Sequence, residues 1–365
     1  MSKPLDKSGA ELHAVKVALA GGEEAWGTPI LWIPELLLAD SLHGIEFVLA
    51  GRDADYVFVN QNTASVTELA SELMHIPVRV FIATEAVCPD FNLFDYAIGF
   101  DDLIFPNRYQ QFHPLHFFER YLKYGSLEKD QSQVQQALKI KKRFCDFIYS
   151  NPHANPARDK FFDILSNKEF VHSAGSYRPN IESSIVRSSW DSDWRRAKVE
   201  FQSESLFSFA FENACHVGYT TEKIITSMLA MSLPIYWGNP SVGEFFNSKS
   251  FINCHDYETF SQVADKVYSL RHDAEAYRET LEQPWMTKAN HERFHSMKNS
   301  VAQFLYGILT KPVDERRLRG NGTWNDYYET TWRQAFKKNQ PDCSYLSPRN
   351  RFVQKLRKCI SKVVR

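Results

Sequence analysis

The sequence predicts an α/β protein in which two Rossmann-like domains face a central cleft. Three observations indicate this fold: short apolar runs alternate with helical patterns, a polar stretch divides the alternation into two blocks, and 365 residues are too many for one compact domain. Alternating strands and helices are typical of parallel sheets with covered faces. Ligands of such sheets bind beyond the carboxyl ends of the strands, so the strand-to-helix loops are where we expect the site.

The first third of the chain contains five short runs rich in Val, Ile, Phe or Tyr, each bounded by Gly, Asp or Asn. These features predict strands. The predicted strands cover residues 13–19, 45–50, 56–60, 78–84 and 95–100. An amphipathic helix is predicted over residues 66–74, with Ser65 as its N-cap.

Residues 127–143 read LEKDQSQVQQALKIKKR, a polar and charged stretch that predicts a linker or an exposed connecting helix. After it the alternation resumes. Strands are predicted over residues 144–149, 207–211, 234–237 and 251–253, and helices over 157–165, 221–231 and 257–270. We therefore expect four parts, namely a first domain over 1–126, a linker over 127–143, a second domain over 144–311 and a C-terminal extension over 312–365.

The bulk composition excludes several classes of function. The formal net charge of −1 offers no electrostatic basis for binding nucleic acid. Neither G-x-G-x-x-G nor G-x-x-x-x-G-K-[ST] occurs, so neither a nicotinamide cofactor nor a P-loop nucleotide is indicated. The first twenty residues carry charges throughout, and the six cysteines are scattered without a CxxC pair. We therefore expect a cytoplasmic protein with free thiols and no secretory signal.

Residues 205–242 carry the strongest functional signal. A buried strand is followed by a loop over residues 212–219 and by a helix that begins near Thr220. The first turn of a helix has unpaired N–H groups and a partial positive charge, which suit a pyrophosphate, and Lys223 adds a full charge there. Glu222 can accept hydrogen bonds from sugar or ribose hydroxyls. From these residues alone, a threonine cap followed by a glutamate that favours the helix dipole is an equally good interpretation.

A composite signature in this segment resembles the α1,3/4-fucosyltransferases of glycosyltransferase family ten. It comprises Phe-Glu-Asn at 211–213, Tyr-Thr-Thr-Glu-Lys at 219–223, Pro-Ile-Tyr-Trp-Gly at 234–238, Pro-Ser-Val at 240–242, Ser-Phe-Ile-Asn at 250–253 and His-Asp-Tyr at 255–257. Two more segments are similar to the family, at residues 150–163 and, for its bacterial members, at 90–100. The resemblance covers roughly residues 78–285.

The resemblance implies the two-domain GT-B fold and assigns donor-binding residues. Arg158 and Lys223 would bind the diphosphate of GDP-fucose, while Asn213, Tyr219 and Glu222 would position the nucleotide and the fucose. The family loop between Asn213 and Tyr219 is often Gly-rich or Gln-containing, whereas this chain has Ala-Cys-His-Val-Gly there. His216 is therefore either a donor contact or a surface residue.

An inverting transfer needs a carboxylate that deprotonates the acceptor hydroxyl. Glu85 is the candidate, because it follows the strand predicted over residues 78–84 and so lies at a carboxyl end in the first, acceptor-binding domain. It also falls where the bacterial relatives place their base. Four nearby carboxylates compete for this role, any of which can be a turn or cap residue instead. They are Asp90, Asp95, Asp101 and Asp102.

No metal or other cofactor is expected, because a guanidinium and an ammonium can stabilise the departing GDP. Two D-x-D triplets, at residues 53–55 and 191–193, are the pattern of metal-dependent transferases, but such strings are common in loops. A divalent ion should not be essential. From Arg349 to Arg365 the chain has seven basic residues and no acidic one, with apolar residues at helical spacing. This tail either lies on an anionic membrane or packs its apolar stripe on the protein.

The resemblance thus implies transfer of L-fucose from GDP-β-L-fucose to a GlcNAc hydroxyl of a lactosamine-type glycan. The linkage would be α1,3 or α1,4, as in Lewis antigens, on an oligosaccharide or a lipopolysaccharide O-antigen. One alternative is another GT-B transferase that uses a different nucleotide sugar. A second is a non-catalytic glycan-binding relative, although the presence of Glu85, Arg158, Glu222 and Lys223 together argues against it.

Overall fold

The computed structural model describes residues 13–21, 45–112, 121–122, 124–182, 185 and 194–338. The triplet at 191–193 and the basic tail from Arg349 to Arg365 lie outside these residues. In the described part of the chain, no helix is both long enough and apolar enough to cross a membrane.

The first domain contains a parallel six-stranded sheet. Its strand order is β2-β1-β3-β4-β5-β6. The strands are β1 (His13–Leu19), β2 (Ile45–Leu49), β3 (Tyr56–Val59), β4 (Val78–Ile82), β5 (Tyr96–Gly99) and β6 (Tyr109–Gln111). The side chains of β3, β4 and β5 are buried, as the apolar runs predicted. Strand β6 was not predicted, because three residues with two glutamines give no readable pattern.

The second domain contains a parallel five-stranded sheet in the order β11-β10-β9-β7-β8. Its strands are β7 (Arg143–Phe147), β8 (Val171–Ser173), β9 (Ser205–Phe211), β10 (Leu233–Trp237) and β11 (Ile252–Asn253). The helices of the described chain begin with α1 (Thr63–Glu68), which continues as a π-helical turn over Leu69–Leu73, and α2 (Gln131–Ile140). Then follow α3 (Ala157–Ser166), α4 (Trp194–Ser203), α5 (Glu222–Leu229), α6 (Phe260–His272), α7 (Ala274–Glu282), α8 (Lys288–Leu309) and α9 (Thr323–Lys338). Two parallel sheets with helices between their strands confirm the predicted α/β class.

Two predicted helix starts are wrong, for reasons that lie in local hydrogen bonds. Helix α1 begins at Thr63 and not after Ser65, whose hydroxyl instead accepts a hydrogen bond from the Asn60 N–H at 3.0 Å. Helix α6 begins at Phe260, because Thr259 and Gln262 form a capping box there. Within the predicted linker, Asp130 caps α2 in the same way, so this stretch is the connecting helix that the sequence left as one of two options.

The chain returns to the first domain after the second sheet is complete. Four apolar side chains near the end of α8 pack on the first sheet: Val301, Leu305, Ile308 and Leu309. The Tyr56 hydroxyl on β3 donates to the Ile308 carbonyl at 2.9 Å. Farther along, Arg319 is paired with the fully buried Asp95, and Glu329 on α9 with Arg79 on β4. Residues 301–309 fall inside the predicted second domain of 144–311, yet their packing surface belongs to the first.

Candidate active site

Glu85 lies just beyond the end of β4, at the carboxyl edge of the first sheet. The neighbouring backbone is fixed by Gln61, which follows β3: its amide oxygen accepts from the Thr84 N–H at 3.0 Å, and its amide nitrogen donates to the Thr84 hydroxyl at 2.6 Å. Glu85 itself is exposed. The backbone before Glu85 is therefore fixed, while the Glu85 side chain is exposed at the carboxyl edge of the sheet.

Two side chains from the second domain contact Glu85 across the cleft. The Tyr219 hydroxyl donates a hydrogen bond to Glu85 Oε2, and Asn213 Nδ2 lies 3.5 Å from the same oxygen. No hydrogen bond joins the other oxygen, Oε1, to the described part of the chain. Burial raises the pKa of Tyr219 well above its ordinary value, and the Glu85 carboxylate adds to this effect. Tyr219 is therefore a neutral donor that leaves one oxygen of Glu85 open.

The first turn of α5 holds a buried ion pair. Glu212, fully buried after β9, accepts hydrogen bonds from the Thr221 N–H at 2.7 Å and the Thr221 hydroxyl at 2.6 Å. Lys223 Nζ donates to Glu212 at 2.9 Å and to the Thr221 hydroxyl at 2.8 Å. Burial would lower the pKa of Lys223, but Glu212 and Glu222 raise it above its ordinary value. The ammonium therefore stays charged at the start of the helix.

Glu222 lies beside this pair, with a carboxylate oxygen 4.0 Å from Lys223 Nζ and a side chain that is 19% exposed. Burial raises the pKa of Glu222, but the ammonium groups of Lys223 and Lys198 outweigh it and bring the pKa to about 2. Glu222 is thus an ionised acceptor at the cleft edge of α5, suited to sugar hydroxyls.

Arg158 occupies a different position, on α3, where it is 1% exposed and its Nε lies 3.7 Å from Asp159 Oδ1. Its guanidinium lies over the rings of Tyr149 and Tyr177, at 4.5 and 5.0 Å, and Nη2 donates to the Asn151 carbonyl at 2.7 Å. Nε and Nη1 have no hydrogen-bond partner among the described residues. Buried N–H groups without partners are costly, and an anion would satisfy them. No hydrogen bond within the described chain joins Arg158 to Lys223.

Sequence reasoning missed three residues of this site: Glu212, Thr221 and Asp101. Glu212 and Thr221 fall in the quoted signature, but no pattern there indicates that Glu212 is buried and paired with Lys223. Asp101 was considered only as a competing base, and it contacts His216, with 2.8 Å between Oδ1 and the ring Nε2. His216 is therefore tied to the first domain.

Asp95 and Asp90, two of the other candidates for the base, have hydrogen-bond partners in the C-terminal part of the chain, whereas Asp102 is exposed beside Asp101. Asp95 is fully buried and accepts from the Leu318 and Arg319 N–H groups at 2.8 Å, and Asp90 accepts from the Tyr328 hydroxyl at 2.5 Å. Asp53, of the first D-x-D triplet, is exposed and bonds to Lys16 at 3.0 Å. Among the described residues, no group of three or more His, Cys, Asp or Glu side chains is placed to hold a metal ion.

Two family models match the chain. Residues 138–311 match the C-terminal domain of glycosyltransferase family 10 (fucosyltransferase), and residues 42–124 match the alpha-(1,3)-fucosyltransferase FucT N-terminal domain. The first range contains the 212–219 loop with Asn213 and Tyr219, and the second contains Glu85. The residues that meet at the cleft therefore come from both matched domains.

Three curated relatives illustrate the similarity. The alpha-(1,3)-fucosyltransferase FucT of Helicobacter pylori is 36% identical over 234 residues, which are 56% of this chain and 46% of that protein. A putative fucosyltransferase of Acanthamoeba polyphaga mimivirus is 29% identical over 149 residues, covering 40% of this chain and 24% of that protein. The 4-galactosyl-N-acetylglucosaminide 3-alpha-L-fucosyltransferase 9 of Homo sapiens is 27% identical over 144 residues, covering 39% and 37%. The chain matches less than half the length of each.

Solved structures agree with the sequence comparisons. A crystal structure of an alpha1,3-fucosyltransferase matches with a TM-score of 0.62 at 27% identity, covering 83% of this chain and 93% of that one. A crystal structure of an alpha1,3-fucosyltransferase with GDP-fucose matches with a TM-score of 0.59 at 27% identity, covering 83% and 94%. The fold is therefore of the GT-B type, and the chain belongs to the fucosyltransferases of glycosyltransferase family 10.

Proposed function

We propose that the protein is an inverting fucosyltransferase that transfers L-fucose from GDP-β-L-fucose to a GlcNAc hydroxyl of a lactosamine-type glycan, through an α1,3 or α1,4 linkage. One observation carries the proposal. Glu85, at the carboxyl edge of the first sheet, meets Tyr219 and Asn213 from the loop that leads into the first turn of α5, where Lys223 lies. This contact supports the assignment of Glu85 as the base and of the α5 amino terminus as the phosphate site of one cleft.

The donor assignment is supported by two cations of the second domain. Lys223 lies in the first turn of α5, where it stays charged while paired with Glu212. Arg158 has two buried N–H groups that form no hydrogen bond among the described residues, although its Nε lies 3.7 Å from Asp159 Oδ1. A similar alpha1,3-fucosyltransferase has been solved with GDP-fucose. We therefore assign the diphosphate to these two cations, and the fucose or ribose hydroxyls to Asn213, Tyr219 and Glu222.

The reaction follows from this placement. Glu85 Oε1 takes the proton of the acceptor hydroxyl while the hydroxyl oxygen forms a bond to C1 of fucose from the face opposite GDP. The bond between C1 and the phosphate oxygen breaks, and GDP leaves with the electron pair, stabilised by Lys223 and Arg158. The attack inverts the β configuration to α. Because the two cations supply the charge that a divalent ion supplies in other transferases, no metal is needed.

The acceptor assignment is supported by the relatives. The human relative acts, by its name, on a galactosyl-N-acetylglucosaminide. We therefore propose a glycan of the Lewis-antigen type, free or as part of a lipopolysaccharide O-antigen.

We also propose that the protein is cytoplasmic and that the tail from Arg349 to Arg365 contacts the inner leaflet of the membrane. Its seven basic residues and absent acidic ones favour anionic lipid. Sedimentation with anionic liposomes tests the contact. Full-length protein should sediment and protein lacking residues 349–365 should not, and equal sedimentation would contradict the proposal.

The reaction is tested by incubating the protein with GDP-fucose and a panel of disaccharides that includes Galβ1-4GlcNAc and Galβ1-3GlcNAc. Mass spectrometry should show the addition of one deoxyhexose, and NMR of the product gives the linkage and the anomeric configuration. Transfer from another nucleotide sugar in a parallel panel, with none from GDP-fucose, would overturn the donor assignment. Glycan binding without any transfer would instead indicate a non-catalytic relative.

A further inference from the structure

His216 and Asp101 form a hydrogen bond between the two domains. His216 lies in the loop over residues 212–219 of the second domain, and Asp101 follows β5 of the first. The imidazole Nε2 is 2.8 Å from Asp101 Oδ1. The His216 side chain is 30% exposed and that of Asp101 is 11% exposed. This bond is therefore a partly buried contact across the cleft, unlike an ordinary surface ion pair.

The same loop carries both residues that contact Glu85. His216 lies between Asn213 and Tyr219 in the chain, so the loop is attached to the first domain on either side of it. Strands β4 and β5 are neighbours, so Glu85 and Asp101, just beyond their carboxyl ends, lie at the same edge of the sheet. The loop consequently spans this edge, with its middle attached at β5 and its ends at β4.

The fit between the loop and the edge of the first sheet is close. Gly218 has φ +84°, and a Cβ placed there would lie 1.9 Å from the Phe100 carbonyl oxygen. The Tyr219 ring packs edge-on against the Phe100 ring, with 5.1 Å between centroids. Phe100 directly precedes Asp101 and contacts both Gly218 and Tyr219. A shift of the loop relative to Asp101 therefore also displaces Tyr219 relative to Glu85.

The Asp101 carboxylate depends on His216 for its side-chain hydrogen bond. Its second oxygen, Oδ2, is buried and has no hydrogen-bond partner among the described residues. The Asp101 main-chain carbonyl accepts from the Tyr109 hydroxyl at 2.7 Å, which fixes this turn. Removing the imidazole would leave the carboxylate without its N–H donor, and such a loss is costly when the group is largely buried.

We infer that His216 and Asp101 are positioning residues for the transfer reaction, forming a tie across the cleft that holds the 212–219 loop where Tyr219 and Asn213 engage Glu85. The inference rests on the proposed function, because it assigns the effect to the geometry of the proposed base. It answers the question that the sequence left open about His216. The ring acts by holding the loop, and contact with the donor is not required.

The main test compares the His216→Ala, His216→Gln and Asp101→Ala variants with wild type. Loss of a hydrogen bond to a charged group predicts that kcat falls about tenfold to a hundredfold in the two alanine variants. The dissociation constant for GDP should change much less than kcat, because Lys223 and its partners lie within the second domain, although Asn213 and Tyr219 lie on the displaced loop. His216→Gln should restore most of kcat, since the glutamine amide can donate in place of Nε2. Unchanged kcat in His216→Ala, or no restoration by glutamine, would overturn the inference.

His272→Ala is the matched control, because this histidine is exposed at the end of α6, away from the cleft. It should leave kcat unchanged, and a comparable fall would show that the effect of His216→Ala is not specific to the tie. A double-mutant cycle with Tyr219→Phe separates positioning from an independent role. If His216 acts through Tyr219, His216→Ala should cost much less in the Tyr219→Phe background, whereas additive losses would contradict the inference.

Hydrogen exchange supplies a readout that does not depend on turnover. Amides of residues 213–219 should exchange at least about fivefold faster in His216→Ala than in wild type, and at wild-type rates in His272→Ala. Equal exchange in all three proteins would contradict the inference that the His216–Asp101 hydrogen bond holds the loop. If wild-type protein transfers no fucose while the exchange result holds, the proposed function fails and the tie across the cleft stands.

Discussion

The two sides of the cleft hold their carboxylates by different means. On the α5 side, Glu212 is fully buried and bonded to Thr221 and Lys223, all within the second domain. On the β4 side, Glu85 is exposed, and its side-chain hydrogen bonds come from Tyr219 and Asn213 of the opposite domain.

This difference has a functional consequence. The ion pair at α5 forms between residues of one domain, so it does not depend on contact with the other domain. The arrangement around Glu85 exists only while the two domains are in contact. Substitutions on the α5 side should therefore affect stability and donor binding, whereas those on the β4 side should affect turnover.

The largest expected effect is on turnover from the β4 side. Glu85→Gln keeps the size of the side chain and removes its basicity, so kcat should fall about 100- to 10,000-fold, the range for loss of general base catalysis. The dissociation constant for GDP, measured by calorimetry, should stay within about twofold. Glu279→Gln, the same change at an exposed glutamate of α7, is the control and should leave kcat unchanged. Retained turnover in Glu85→Gln would place the base elsewhere.

The next effect is on stability and donor binding from the α5 side. Lys223→Met leaves Glu212 as an unpaired buried carboxylate, so the free energy of unfolding should fall by about 3–5 kcal/mol, and GDP binding should be lost. Denaturant unfolding and calorimetry measure the two effects. The double variant Lys223→Met with Glu212→Gln should recover most of the stability but no GDP binding. Recovery of both would mean that Lys223 has a structural role alone.

A buried acid on β7 of the second sheet, Asp146, should change the pH dependence of stability. Burial raises the pKa of Asp146 from 3.8 to about 6, although Ser208 donates to it at 2.5 Å. The folded state therefore binds the proton more tightly, and stability declines as the pH rises from 4 to 6. That loss is about 3 kcal/mol at 1.36 kcal/mol per pKa unit.

Asp146→Asn removes this titration. The stability of the variant relative to wild type should therefore increase between pH 4 and 6 and stay constant above. Urea unfolding across this pH range provides the measurement, and Asp265→Asn, at an exposed aspartate of α6, is the control. A difference that does not vary with pH would show that Asp146 is not the titrating group.

The smallest expected effect is that of metal removal. Because the proposed reaction uses Lys223 and Arg158 to stabilise the departing GDP, kcat with excess EDTA should equal kcat with added Mg²⁺ or Mn²⁺ within about twofold. A metal-dependent glycosyltransferase assayed in parallel verifies that the chelator is effective. Loss of activity that only a divalent ion restores would contradict the proposed metal-independent reaction.

Much of the fold was predictable from local patterns. The apolar runs that predicted the strands are the buried strands of two parallel sheets, because fully covered strands need continuous apolar residues. Strands β6 and β8 were missed, since three residues are too few for a periodicity to show. The α5 helix start was also predictable. Its buried pair was not, because nothing in the sequence pattern requires Glu212 to be fully covered.

The sequence by itself determined the α/β class, the resemblance to family ten and the chemical groups available for transfer. Their assignment as site residues stays a prediction until the variants are measured. Only the tertiary structure decided which of these groups meet. Tyr219 and Glu85 are 134 residues apart in the chain, and His216 and Asp101 are 115 apart. Such pairs form because loops that follow strands of the two sheets meet in the folded protein, and no local pattern of residues encodes that contact.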